Sequence, residues 1–217
     1  SAGAAVTSGT NNTLIGGLAG DAISTGAGNT GLGKNALGAT TTASANTAVG
    51  TNAMLSNTEG ANNVAVGHQA LDSDTLGSKT VAVGKNTLQS QNFTTATDSN
   101  NVAVGYDAGQ AVTTGTGHTL IGANAGDALT TGNDNVAIGL NSLSADVAGS
   151  GSVAIGNVAL QDQNFTTATQ AHNTAIGRSA GRDITTGIRN TIIGGDAGDA
   201  LTDADFNTAV GQQALST

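Results

Sequence analysis

The chain has 217 residues with 15 acidic and 6 basic side chains, a net charge of −9, no Pro, no Cys and no Trp. Its 33 Gly, against a usual share of ~7%, and its four aromatics (Phe93, Phe165, Phe206 and Tyr106) exclude a thick core of large side chains. Singly scattered acids and the lack of a basic cluster argue against nucleic acid, zero Cys excludes disulfides and thiolate metal sites, and no apolar run approaches the ~20 residues of a membrane helix, so direct membrane insertion is not expected.

Residues 1–10 read as a lead-in, and an opening Ser1-Ala2-Gly3, with neither Met nor a signal peptide, is expected of a processed form or a fragment. From Asn11 to Thr217 the chain reads as one repeat domain. Its unit is Asn-(Thr/Val)-Ala-(Val/Ile)-Gly, as in Asn46-Thr47-Ala48-Val49-Gly50. The closing glycine recurs at Gly16, Gly33, Gly50, Gly67, Gly84, Gly105, Gly122, Gly139, Gly156, Gly177, Gly194 and Gly211. Nine of the eleven intervals are 17 residues and two are 21, the four-residue insertions falling in coils 85–105 and 157–177. The insertions carry near-identical loops, Gln91 to Thr97 and Gln163 to Thr169, 72 residues apart. A fixed short period is the signature of a solenoid, in which each unit buries its face against its neighbours.

Within one unit, the residue before the glycine is always aliphatic and the residue two earlier is always Thr or Val. Period-two alternation puts both on one face of a short strand and the intervening Ala on the other. The glycine marks a bend that needs positive φ or a close backbone approach. An Ala column three residues later (Ala36, Ala53 and Ala70 among ten) predicts a second short strand. The units then divide into two kinds. One places Leu or Met four residues after the glycine, as at Leu37, Met54, Leu71, Leu88, Leu143 and Leu160. The other has Gly there and an aliphatic three residues further on, as at Ile23, Val112, Leu129, Ile184 and Leu201. This exclusion points to one core slot filled from either of two backbone positions. The fold expected is all-β: a parallel β-solenoid or β-roll of about twelve 17-residue coils, with like residues ~4.8 Å apart and the Asn column forming an amide ladder. Burying about three aliphatic side chains per coil, at ~1.5–3 kcal/mol each, barely offsets the ordering of 17 residues. Association of several copies, with close approach through the Ala columns, is therefore expected.

Asn63-Val64-Ala65-Val66-Gly67, Asn135-Val136-Ala137-Ile138-Gly139 and Ser152-Val153-Ala154-Ile155-Gly156 resemble the head repeats of trimeric autotransporter adhesins. The longer unit with its Thr-Thr-Gly turn (Thr113-Thr114-Gly115, Thr130-Thr131-Gly132, Thr185-Thr186-Gly187) more closely resembles repeats in phage tail-fibre and virion-fibre proteins. The resemblance implies a homotrimeric rod in a virion tail or fibre, or at the cell surface. The expected function is a structural or adhesive segment, acting as shaft or in host-surface attachment. The alternative it implies is a bacterial adhesin head that binds host or matrix surfaces. The partners implied are the chain itself and a host-surface glycan or protein.

Nothing in the sequence supplies an enzyme. No Ser-His-Asp set, nucleophile elbow or phosphate loop is present, and no cofactor is expected. His68, His118 and His172 sit at different repeat positions and read as turn residues, not a metal cluster. Gly194-Gly195-Asp196-Ala197-Gly198-Asp199 and Gly16-Gly17-Leu18-Ala19-Gly20-Asp21 are similar to single calcium-binding nonapeptides but lack consecutive copies. The Thr pairs raise a flat ice-binding array, yet occur in only some coils. Asn92-Phe93-Thr94 and Asn164-Phe165-Thr166 are formal glycosylation sequons. The same loops, through Asn92, Phe93, Asn164 and Phe165, are the candidate outside contacts; the competing reading folds each Phe back to plug its longer coil.

Overall fold

The computed structural model describes residues 1–216, and no helix occurs among them. They form two units, one from Ser1 to Asp107 and one beginning at Ala108. The first unit carries β1 (Thr13–Ile15), β2 (Thr30–Leu32), β3 (Thr47–Val49), β4 (Val64–Val66), β5 (Gly77–Ser78), β6 (Val81–Val83), β7 (Thr97–Asp98) and β8 (Val102–Val104). The second carries β9 (Thr119–Ile121), β10 (Val136–Ile138), β11 (Gly149–Ser150), β12 (Val153–Ile155), β13 (Thr169–Gln170), β14 (Thr174–Ile176), β15 (Thr191–Ile193) and β16 (Thr208–Val210). Each unit is a parallel β-solenoid. Strand pairs with strand one coil on in strict register, as Thr47↔Val64, Ala48↔Ala65 and Val49↔Val66. The 21-residue coil keeps this register, with Val81↔Val102, so its four extra residues are absorbed outside the ladder.

The twelve closing glycines have φ between +124° and +145°, a region that is essentially glycine-only. Packing reinforces the torsion. A Cβ on Gly50 would run into the carbonyl oxygen of Gly67 in the next coil.

The segment after the glycine corrects the sequence reading. It is a run of tight turns and not a second strand. Ala19 N–H donates to the Gly16 carbonyl at 3.3 Å, with Leu18 at φ +61° in the third position of that turn, the torsion of a type II turn. The turns stack through their own backbone bonds, Leu37 N–H donating to Ala53 and Met54 N–H to Ala70. Among the described residues, a second parallel ladder exists only beside the insertions, where β5 pairs β7 and β11 pairs β13.

The direction of the strand faces is a second correction. The strand-centre Ala48, Ala65, Ala82 and Ala137 are fully buried, as are the turn residues Ala36, Ala53 and Ala70. These Ala residues therefore lie inside the chain's own core and cannot meet a neighbouring chain. The cause is the thinness of the roll. Leu37, Met54, Leu71 and Leu88 enter the core from the turn side and leave only a methyl's depth beneath the strand. Three of the coils with Gly at that turn position reverse the arrangement: Leu14, Leu120 and Ile192 replace Ala at the strand centre, above Gly20, Gly126 and Gly198. Core volume is kept constant by exchange across the slab.

The Asn column is a ladder, but chiefly from side chain to backbone. Asn46 Oδ1 accepts from Asn63 N–H at 2.9 Å, and Asn46 Nδ2 donates to the Gly60 carbonyl at 2.8 Å. Each amide so satisfies a donor in the next coil and an acceptor in its turn. The lead-in belongs to the same architecture: Gly3 N–H donates to Ala19 and Thr7 N–H to Ser24.

Candidate functional site

The outward face of the main ladder is an uncharged surface in each unit. Strand residues are only Thr, Val, Ile, Leu, Ala and Gly. With the centre residue buried, the two flanking columns point out. In the first unit Ile15, Leu32 and Val104 are exposed, and in the second Ile121, Ile176, Ile193 and Val210, between 36% and 65%. The remaining members of the column, such as Val66 and Ile138, are half-buried. Parallel in-register pairing lines these side chains up ~4.8 Å apart. A contiguous flat aliphatic stripe of this kind is unusual on a monomer's surface.

The Phe loops sit differently from their reading as outside contacts. Phe93 and Phe165 are 5% and 7% exposed, so their rings plug the longer coils, while Asn92 and Asn164 remain on the surface. A buried carboxylate holds each loop. Asp146 Oδ1 accepts from Gly149 N–H at 3.1 Å and from Phe165 N–H at 3.0 Å, and Oδ2 accepts from Gln163 Nε2 at 2.6 Å. Asp74, with Gly77, Phe93 and Gln91, repeats the clamp 72 residues earlier. Burial raises both carboxyls above the usual Asp range, against the lowering effect of these bonds. The Gln also carries the Asn ladder past the insertion: Asn173 Nδ2 donates to Gln163 Oε1 at 2.8 Å, while the short Ser152 takes the preceding Asn place.

No known family, curated protein or solved structure matches this chain.

The other singled-out residues serve the ladder or the surface. His118 occupies an Asn place and is buried; its Nδ1 accepts from Asn135 N–H at 3.3 Å, and burial lowers its pKa to about 4. His68 and His172 are exposed. The first Thr of each turn pair spends its hydroxyl on the next coil, Thr113 donating to Thr130 and Thr130 to Val147. Those hydroxyls are not presented as an outward array. Asp196 accepts from Arg178. The closing glycines, including Gly139 and Gly194, are backbone devices with no group facing outward.

Sequence reasoning missed the aliphatic stripe by assigning it to the core. A signal was available. Bulk at Leu14, Leu120 and Ile192 coincides with Gly four residues after the closing glycine, which shows that the strand centre shares the core with the turn.

Proposed function

We propose that this chain is a structural and adhesive segment of a homotrimeric phage or phage-like tail fibre, serving as shaft or in attachment to a host surface. The observation that carries the reading is the outward stripe of Val, Ile and Leu beside Thr and Val, which has no charge in any strand of the main ladder and no cover within the protomer. Three such faces turned toward one axis would remove the stripe from water, and each buried aliphatic would contribute on the order of 1.5–3 kcal/mol. The likeness of the strand motif to trimeric β-roll fibres favours three copies. The Ala columns take no part in this association.

Sedimentation of the purified chain tests it. The expected species is a trimer at micromolar concentration. Val136→Asp with Ile138→Asp should release monomers that keep the β-type circular dichroism, whereas Thr131→Asp, at an exposed turn, should leave the trimer intact. A wild-type chain that is monomeric and stably folded at that concentration overturns the reading.

A further inference from the structure

Two of the four aromatic side chains, Tyr106 and Phe206, are exposed, at 51% and 66%. Each ends the same three-coil series. In the first unit the residues that follow three successive closing glycines are His68, Lys85 and Tyr106, all exposed. Their coils touch directly: Asn86 N–H donates to the His68 carbonyl and Asp107 N–H to the Lys85 carbonyl, both at 3.0 Å. Lys85 Nζ lies 5.3 Å from the Tyr106 ring centre. In the second unit His172, Arg189 and Phe206, again exposed, hold the place five residues before three successive glycines. Arg189 N–H donates to Ala171 and Phe206 N–H to Ile188, and the Arg189 guanidinium lies 5.4 Å from the Phe206 ring centre.

Five of the six bases of this acidic chain divide by use, and Lys34 is exposed at a distance along the chain from both ridges. Lys79, Arg178 and Arg182 are paired with Asp98, Asp196 and Asp183. Lys85 and Arg189 lie over rings instead. Beside the ridges, Asp107 accepts from Asn86 Nδ2 at 3.0 Å and Asp205 from Ile188 N–H at 2.8 Å, while Asp72 is near enough to His68 to feel its charge; the ion pairs of the described residues leave out Lys85 and Arg189. Each ridge is thus a short strip with a cation held over a ring and not in an ion pair, an exposed aromatic and an imidazole, on a molecule whose net charge otherwise repels anions.

We propose that these two ridges bind an acidic polysaccharide, a polymer with a carboxylate on every sugar or every second sugar. A carboxylate supplies the anion that Lys85 and Arg189 lack. The C–H face of a sugar ring suits an exposed aromatic edge, and the imidazole can bond a hydroxyl. Two coil steps of ~4.8 Å make the strip linear, as a polymer requires. The proposal deepens the attachment reading above and rests on it.

Binding of the wild-type chain to polygalacturonate and to polysialate, with neutral dextran as control, is measured by biolayer interferometry at low and at 0.5 M salt. Both acidic polymers are the probes, and binding to at least one, lost at high salt and absent for dextran, is expected. Lys85→Met with Arg189→Met, and Tyr106→Ala with Phe206→Ala, should each weaken it by about tenfold or more. Lys79→Met with Arg178→Met, which removes the same two charges outside the ridges, should change it less than about twofold. Failure to bind either acidic polymer, or equal weakening by the Lys79→Met, Arg178→Met pair, overturns the proposal. Sedimentation of the same samples separates the two readings, because a trimer that binds neither polymer removes the ridges and leaves self-association standing.

Discussion

Leu129 occupies the space that a side chain on Gly126 would need: a methyl group at Gly126 would lie 2.9 Å from Leu129 Cδ1 and 2.9 Å from Leu120 Cδ2. The same crowding recurs at Gly181, where Ile184 Cδ1 would be 2.9 Å away, but there the strand centre is Ala175. The slot is single, and in some coils three positions compete for it.

A graded outcome follows for exchange of the slot residue. Gly181→Leu alone should overpack and destabilise by about 1–3 kcal/mol. Adding Ile184→Asn, which reproduces the coil where buried Met54 is followed by buried Asn57, should recover most of the loss. In the Gly126 coil the matching pair, Gly126→Leu with Leu129→Asn, should recover less, and Leu120→Ala should be needed as well. Chemical denaturation of these variants measures this. Equal recovery by the two pairs would show that the strand centre does not share the slot.

Two glycines should respond in opposite ways to Ala. Gly139 has φ +139° and a Cβ there would strike the Gly156 carbonyl, so Gly139→Ala should cost roughly 3 kcal/mol or more. Gly195 has open space around it and no left-handed torsion. Gly195→Ala should be neutral, or stabilising by about 0.4–1 kcal/mol through the unfolded chain. Thermal melting distinguishes the two, and comparable losses would refute the role of the glycine column.

Stability should depend on pH through His118. Its folded pKa, about 4, lies below the ordinary 6.5 because burial opposes the imidazolium. The unfolded chain therefore binds the extra proton first. The stability held by the neutral ring is full above pH 6.5 and is lost as pH falls from 6.5 to about 4, in total about 3 kcal/mol. Asp74 and Asp146 act with the opposite sign: their raised folded pKa values make protonation favour the folded state as pH falls through them. His118→Asn, which restores the usual ladder residue, should flatten the loss between pH 7 and pH 4.5. Denaturation midpoints for both proteins at the two pH values provide the check; parallel losses would place the acid sensitivity elsewhere.

Release of the insertion clamp should be local. Asp146→Ala removes the acceptor of Gly149 N–H, Phe165 N–H and Gln163 Nε2 together. Amide hydrogen exchange should speed up at residues 164–170, while Val153 to Ile155 in the main ladder stay protected. Faster exchange spread evenly over both would mean that the carboxylate supports the whole coil.

The repeat, its two step lengths, the parallel in-register ladder, the glycine bend and the exclusion between positions such as Leu143 and Leu129 could all be read from the sequence. Each is a matter of spacing, and spacing survives in one dimension. Alternation along Thr47-Ala48-Val49 likewise separates two strand faces, but it is silent on which face is inside. The tertiary structure settled that by depth: with Leu37 and Met54 entering from the turn, only Ala48 fits beneath the strand, and Val49 is turned outward. Hydrophobicity alone predicts the reverse. The post-glycine segment was misread for a related reason, since Ala three residues on fits a strand or a turn equally well, and the deciding torsions at Asn35 and Leu37, φ +57° at both, depend on bonds to the neighbouring coil. The Phe loops needed the structure too. Whether Phe165 points in or out rests on Asp146, 19 residues earlier in the chain, which only the stacking of coils brings within hydrogen-bond reach.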